Sequence, residues 1–260
     1  MAVTSKYQQD WENLAQLNPE WAILTTDTQK KQSRWDSTEF FATGEKDIDK
    51  FLTYIKNLGI ELNMGEALDF GCGIGRLTRA LAAHFTKVYG VDISATMLAT
   101  ARKLHQDNPH IIFMQNTAND LSCFDSEKFD LICSLITLQH IPDKEIIKNF
   151  IHEFVRILKP GGILYFQLPS VPGFSPIKTT LLKIRGQIYY LLTNLGISKE
   201  FCYRRLKIMP LMHMNYMFRG EIEAILNGQA KLLQTYDDNT INQRYLIQKS
   251  NNSTNDSNIN

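Results

Sequence analysis

The chain has 260 residues, 43% hydrophobic and 21% charged, a composition typical of a soluble globular protein with one sizeable domain. The net charge of +1 gives nucleic acid no overall electrostatic attraction. The four cysteines form no C-x-x-C pair, so neither a zinc site nor a disulfide framework is predicted, and no metal site is expected. No secretory signal and no run of 18 apolar residues is found, so we expect a cytoplasmic protein.

The central part of the chain alternates predicted strands and helices. A short apolar run, Glu66–Phe70, predicts a first strand that ends at a cluster of glycines. The apolar residues after the glycines recur at helical spacing and predict a helix. Ser94 is predicted to cap a helix that follows the second strand. Lys144–Leu158 has the pattern of a strongly amphipathic helix, which Lys159–Gly162 would end. Further buried strands are predicted at Val88–Val91, Ile111–Met114, Phe129–Leu135 and Ile163–Leu168. Five such units predict an α/β fold with a doubly wound parallel sheet, which binds ligands beyond the carboxyl ends of its strands.

The glycine cluster is the most informative local pattern. Gly71, Gly73 and Gly75 alternate with other residues, and Arg76 stands where a dinucleotide fingerprint would have its third glycine. Asp69 would repel a pyrophosphate but could anchor a cation. The pattern therefore favours a ligand with a positive amino group and no phosphate over a nicotinamide or flavin cofactor. The alternative is a tight strand–helix turn that binds no ligand.

Four blocks in this order carry a family resemblance. They are Asp69-x-Gly71-x-Gly73-x-Gly75, Val91–Ser94, Phe129–Ile132 followed by Leu138–Ile141, and Leu158–Gly162. Together they resemble the class I S-adenosylmethionine-dependent methyltransferases, closely over Glu61–Leu168 and more loosely over Arg219–Gln248. The resemblance implies a Rossmann-like three-layer sandwich with a doubly wound seven-stranded sheet, in which five parallel βα units are completed by a C-terminal antiparallel hairpin. A last helix at Glu221–Asn227 and hairpin strands at Lys231–Tyr236 and Tyr245–Gln248 would complete it.

The resemblance also implies a cofactor, S-adenosyl-L-methionine, and the residues that bind it. Asp92 would hold both ribose hydroxyls, Asp69 would help to hold the ammonium end, and the glycines would admit the methionine half. The chain departs from the family after the third strand, where Asn119 or Thr117 could contact adenine. The expected cofactor-binding residues are Thr43, Gly44, Asp69, Gly71, Cys72, Gly73, Arg76, Asp92, Ile93, Met97, Asn116, Ala118, Asn119, Ser134 and Leu135.

Methyl transfer from a sulfonium needs mainly positioning, and a general base where the nucleophile must lose a proton. The family has no universal catalytic residue, so catalytic candidates come from position alone. His140 follows the fourth strand, and anchoring a loop is its alternative role. His213 lies in a segment rich in methionine and tyrosine, for which core packing is the alternative.

The regions outside the sheet are expected to determine specificity. Residues 34–55 would fold over the cofactor or simply cover the sheet. The predicted units are an N-terminal helical cap at 1–60, the cofactor-binding core at 61–169, a basic helical insertion or substrate lid at 170–218, a helix and hairpin at 219–249, and a disordered polar tail at 250–260.

The insertion has an unusual charge. It holds seven basic residues and one acidic residue, Glu200. It could be a lid that attracts an anionic acceptor, an interfacial helix on an anionic membrane, or a helical pair that covers the core or a second subunit. Nucleic acid is disfavoured as a partner, because Ser134–Thr137 replaces the Pro-Pro-aromatic motif of amino-methylating DNA enzymes.

These patterns predict an enzyme that methylates a small molecule, with oxygen as the favoured atom. An anionic, glycosylated or amphiphilic metabolite is the expected acceptor. The alternatives are N- or C-methylation of a small molecule or lipid, and a non-catalytic or membrane-associated partner protein that binds S-adenosylmethionine. An oxidoreductase is disfavoured, because the dinucleotide fingerprint is missing.

Overall fold

The computed structural model describes residues 3–24, 35–237 and 242–251. They contain a seven-stranded sheet with the order β3-β2-β1-β4-β5-β7-β6. The first five strands are parallel, whereas β7 runs antiparallel to both of its neighbours. The strands are β1 (Glu66–Phe70), β2 (Lys87–Asp92), β3 (Ile111–Gln115), β4 (Phe129–Ser134), β5 (Leu158–Pro169), β6 (Ala230–Asp237) and β7 (Asn242–Lys249). This architecture confirms the predicted fold.

Helices cover both faces of the sheet and extend over one of its edges. Several begin at a side-chain cap; Asp36, Ser94 and Asp143 each accept a bond from a backbone N–H of the first turn. The described helices are α1 (Val3–Leu17), α2 (Pro19–Ile23), α3 (Ser37–Asn57), α4 (Arg76–Leu81), α5 (Ala95–Leu104), α6 (Lys144–Ile157), α7 (Pro176–Asn194), α8 (Lys199–Arg204) and α9 (Arg219–Leu226).

The core lies in two apolar layers, one on each face of the sheet. Successive strand residues alternate between them: Ala67 and Leu131 face one layer, whereas Leu68 and Ile132 face the other. Helices α3 and α4 close the first layer, and α6 and α9 close the second. The two layers give the three-layer sandwich and leave the carboxyl ends of the parallel strands as the open edge.

Two predicted strands differ in detail from the structure. β3 is only half-buried, because it lies at the edge of the sheet and pairs with β2 alone. β5 begins at Leu158, directly after α6, so Lys159–Gly162 is part of a strand rather than a turn before it. The Lys159 amine lies 2.8 Å from the Asp130 carboxylate, which holds this segment against β4.

The division into cap, core and insertion stays an interpretation. Helices α1 to α3 lie within the first outer region, and α7 and α8 within the second. Residues 252–260, most of the predicted disordered tail, lie outside the described residues, as does the tip of the final hairpin at 238–241. No helix in the described ranges is long and apolar enough to cross a bilayer.

A close contact between α3 and α4 depends on a glycine. A Cβ atom at Gly44 would lie 2.3 Å from the carbonyl oxygen of Arg76. We therefore expect Gly44→Ala to push the two helices apart and to lower the free energy of unfolding by about 1–3 kcal/mol, despite the better helix propensity of alanine. Chemical denaturation measures this change.

Gly220→Ala is the matched control for this substitution. Gly220 also lies in a helix, but a Cβ there would meet nothing within 4 Å. It should leave the unfolding free energy unchanged or raise it slightly. Equal effects at both glycines would contradict the close-packing explanation.

Candidate functional site

A cleft lies at the carboxyl ends of β1, β2 and β4, where the parallel fold predicts a ligand site. It holds about 870 Å³ of empty space, part of it open to solvent. Its walls are mostly apolar, with a few polar groups, as is usual for cofactor sites. The predicted cofactor-binding residues that line it are Gly71, Gly73, Asp92, Ile93, Met97, Asn116, Ala118, Asn119 and Leu135.

The glycine loop forms the floor of this cleft. Gly71 and Gly73 have φ angles of +78° and +55°, which residues with side chains rarely adopt. A Cβ at Gly71 would lie 2.2 Å from Thr137, and one at Gly73 would lie 2.5 Å from Ile23. The missing side chains therefore let Thr137 and Ile23 pack directly against the loop backbone at the base of the cleft.

Asp92 stands at the end of β2, on the wall of the cleft. One carboxylate oxygen accepts a bond from Gly73 N–H at 2.8 Å, and the other accepts from Ser94 N–H at 2.9 Å. Burial raises its pKa above the ordinary value, and these bonds oppose the rise. Each oxygen has remaining lone pairs, so the carboxylate can accept bonds from a pair of neighbouring hydroxyls.

Three predicted residues lie behind the loop, outside the cleft lining. Asp69 is buried and accepts a bond from the Thr78 hydroxyl at 2.6 Å, and burial raises its pKa to about 6. Ser134 donates its hydroxyl to the carbonyl of Phe70, and the Cys72 thiol faces the Gly73 carbonyl. In this arrangement the three side chains support the shape of the loop from beneath.

Arg76, Thr43 and Gly44 form a second group away from the cleft. The Arg76 guanidinium contacts the Asp47 carboxylate at 2.8 Å and the Thr43 hydroxyl at 3.3 Å. The Thr43 hydroxyl in turn donates to the Phe40 carbonyl. These contacts join α3 to α4, so α3 packs on the core beside the loop.

The residues that cover the cleft come from α1 and α2 instead. Tyr7, Trp11, Ala22 and Ile23 all line it, and none of them was among the predicted site residues. The available signal was the pair of aromatics at i and i+4 in α1, whose rings meet edge to face at 6.5 Å. We call α1 and α2 together the lid.

An acidic side chain fastens the lid to the core. Glu12 accepts bonds from Ala95 N–H at 2.6 Å, Thr96 N–H at 3.1 Å and the Ser94 hydroxyl at 3.0 Å. These donors are at the N-terminus of α5, where the helix dipole favours a negative charge. On its other side, α1 is held by a bond from the Tyr190 hydroxyl of α7 to Asp10. The middle of α1 is therefore held on two sides.

His140 lies at the border of the cleft in a defined tautomer. Its Nδ1 is 2.7 Å from the backbone carbonyl of His213, and a carbonyl only accepts, so Nδ1 carries the proton and Nε2 is free. Burial lowers its pKa to about 4, so the ring is neutral near pH 7. The ring packs edge to face on Trp11, with centroids 5.5 Å apart. His213 contributes its carbonyl; its own ring is half-buried and lines neither cavity among the described residues.

A second cavity lies on the other side of His140, between α7 and the segment 207–214. It holds about 750 Å³ of empty space, part of it open to solvent. Methionines and other apolar side chains form most of its wall, and Arg185 and Lys207 are its cationic groups. Thr137 and Ile141 line the first cleft, whereas His140 lines the second, so the short helical turn Leu138–His140 separates the two spaces.

The site fits the cofactor that the resemblance implies. Gly71 and Gly73 present backbone without side chains to the cleft, the Asp92 carboxylate suits a ribose, and the apolar walls suit an adenine ring. No group of three His, Cys, Asp or Glu side chains that could hold a metal occurs within the described ranges.

Sequence comparison supports the same family. Residues 68–166 match the family model described as a methyltransferase domain. The ubiquinone biosynthesis O-methyltransferase of Pseudomonas syringae is 37% identical over 128 residues, which cover 48% of this chain and 52% of that protein. The protein of the same name from Actinobacillus pleuropneumoniae is 33% identical over 145 residues, which cover 54% of this chain and 59% of that protein. The chain thus spans about half the length of the curated relatives it matches.

Solved structures show the same fold at low identity. Phosphoethanolamine N-methyltransferase 1 of Haemonchus contortus, solved with phosphoethanolamine and S-adenosylhomocysteine, matches all of this chain and 52% of its own, with a TM-score of 0.62 and 14% identity. An S-adenosylmethionine-dependent methyltransferase of Clostridium acetobutylicum matches 89% of this chain and 96% of its own, with a TM-score of 0.54 and 17% identity. The family model and the fold agree with the prediction: residues 68–166 match a methyltransferase domain, and the chain has the fold of S-adenosylmethionine-dependent methyltransferases.

Proposed function

We propose that this protein transfers the methyl group of S-adenosylmethionine to a hydroxyl oxygen of a small, largely apolar acceptor. The observation that carries the proposal is His140, a neutral imidazole with a free Nε2 on the wall between two cavities. The names of the relatives, which are O-methyltransferases, support oxygen as the methylated atom.

The first cleft is the proposed cofactor site. Asp92 would hold the ribose hydroxyls, and Gly71 and Gly73 would lie along the methionine half. Met97, Leu135 and the Asn116–Asn119 loop would surround the adenine. When bound, the cofactor supplies a methyl group on a sulfonium, which is already a good leaving group. The protein therefore needs chiefly to position and desolvate the reacting groups.

The second cavity is the proposed acceptor site. Its methionines can adapt to an irregular apolar body. Arg185 and Lys207 would attract an anionic group on the same molecule, which supports the predicted anionic or amphiphilic acceptor. His140 Nε2 would take the hydroxyl proton as the oxygen attacks, while the His213 carbonyl keeps the ring in the correct tautomer.

The lid has a proposed role in excluding water. Trp11 and Ile23 close the cleft from above, and Trp11 also contacts the proposed base. Opening the lid would let the cofactor in and out, and closing it would protect the reacting groups from solvent.

Cofactor binding is tested by Asp92→Asn. The substitution removes the negative charge and one acceptor oxygen, so we expect the dissociation constants of S-adenosylmethionine and S-adenosylhomocysteine to rise about 10–100-fold. Titration calorimetry measures both, and circular dichroism checks the fold. Asp107→Asn, which changes an exposed carboxylate outside the cleft lining, is the matched control. Unchanged affinity in Asp92→Asn would refute the ribose assignment.

The catalytic role of His140 is tested by His140→Gln. We expect kcat toward apolar hydroxy acids to fall about 10²–10⁴-fold, while cofactor affinity changes little. The wild-type rate should decline only as the pH approaches the His140 pKa of about 4, and this acid limb should disappear in the variant. His152→Gln on the exposed face of α6 is the control. A variant with full activity would exclude His140 as the base.

The lid anchor is tested by Glu12→Gln at neutral pH. Burial opposes ionisation, but the bonds from Thr96, Ala95 and Ser94 lower the Glu12 pKa below its ordinary 4.5. This carboxylate thus stabilises the closed lid above pH 4.5, and the contribution is lost as the pH falls through the lowered pKa. Without the charge we expect faster amide hydrogen exchange across α1, measured by mass spectrometry. Glu61→Gln, an exposed residue outside the lid, should leave the exchange of α1 unchanged; if Glu12→Gln does so too, Glu12 is not an anchor.

A further inference from the structure

Helix α7 presents a row of apolar side chains to solvent. Their spacing of four and three residues in alternation keeps them on one side of the helix. Between 42% and 75% of each side chain is exposed. We call this row the apolar stripe; it consists of Ile177, Leu181, Ile184, Ile188, Leu191 and Leu195, the last of which directly follows the helix.

The stripe cannot turn inward, because the opposite side of α7 is already packed. Gly186 lies against Leu211, because a Cβ atom added to this glycine would be 3.3 Å from the Leu211 side chain. Tyr189 is fully buried, and the Tyr190 hydroxyl bonds Asp10 of α1. The helix is therefore held with its apolar stripe outward. Exposed apolar surfaces of this extent usually mark a docking site.

The charges beside the stripe show what kind of surface it suits. Lys178 and Lys183 flank it, and α7 contains no acidic residue. Over the whole insertion at 170–218 the single acid, Glu200, is paired with Arg204. Exposed basic residues at the border of an apolar face are typical of helices that lie in the interface of an anionic membrane.

A second copy of the chain is a poorer complement. Pairing two α7 helices would cover the stripe, but it would bring together six cations and no carboxylate from those helices. An anionic lipid surface satisfies both the apolar side chains and the flanking charges. We therefore propose that α7 docks this protein on anionic lipid bilayers, with the stripe among the upper acyl chains and Lys178 and Lys183 at the level of the phosphates.

Vesicle flotation tests this proposal with the full chain. The probe is vesicles of phosphatidylcholine with about one third phosphatidylglycerol, compared with phosphatidylcholine alone, at about 0.1 M salt. We expect binding to the anionic vesicles, about tenfold weaker binding to neutral ones, and loss of binding as the salt concentration rises.

Two variants and one control distinguish binding through the apolar stripe from nonspecific adsorption to lipid. Leu181→Glu with Ile188→Glu should weaken vesicle binding at least about tenfold, and Lys178→Glu with Lys183→Glu should weaken binding to the anionic vesicles. Leu58→Glu with Leu104→Glu changes two apolar residues of similar exposure outside α7 and should leave binding unchanged. Titration of each variant with S-adenosylmethionine should match the wild type, so this result does not depend on the proposed function.

Either of two results would overturn the proposal. One is that the wild type fails to float with anionic vesicles, or that the variant with glutamates in the stripe floats with them as well as the wild type does. The other is that sedimentation velocity finds a dimer that the stripe variant dissociates, with no vesicle binding by the wild type. That second result would assign the apolar stripe to a copy of this chain.

Discussion

The cleft depends on how tightly the glycine loop is bound to the end of β2. Gly71 and Cys72 donate their N–H groups to the Val91 carbonyl, and Gly73 donates to Asp92. These bonds hold the loop close to the carboxyl end of β2. Because neither Gly71 nor Gly73 carries a side chain, Thr137 and Ile23 pack directly against the loop. The lid, Asp92 and the apolar walls are all arranged around the cleft beside it.

The parts of the chain outside the matched methyltransferase domain complete the site. The lid comes from the first two helices, and the second cavity from α7 and the segment that follows α8. The two regions are joined to each other through Asp10 and Tyr190, and also through the Lys199 amine and the Gln16 side chain. A cleft formed largely by the matched domain is thus combined with walls that the rest of the chain supplies.

The sheet was predictable because its signals are local: short apolar runs, helix caps and glycines at the first turn. The lid was not, since Glu12 and Ser94 are 82 residues apart and no local pattern links them. Spacing identified the loops that line the cleft but not the direction of each side chain. Asp69 and Arg76 stand beside the glycines in sequence, yet both point to partners behind the loop.

The contact that orients His140 has a consequence for how this site can change. The acceptor of its Nδ1 proton is a backbone carbonyl, which every amino acid at position 213 would provide. The segment around it also forms the wall of the second cavity. Its side chains can therefore be exchanged, altering the shape and polarity of that cavity, while the imidazole keeps the same tautomer. In the proposed reaction, the group that takes the proton is thus separate from the groups that select the molecule.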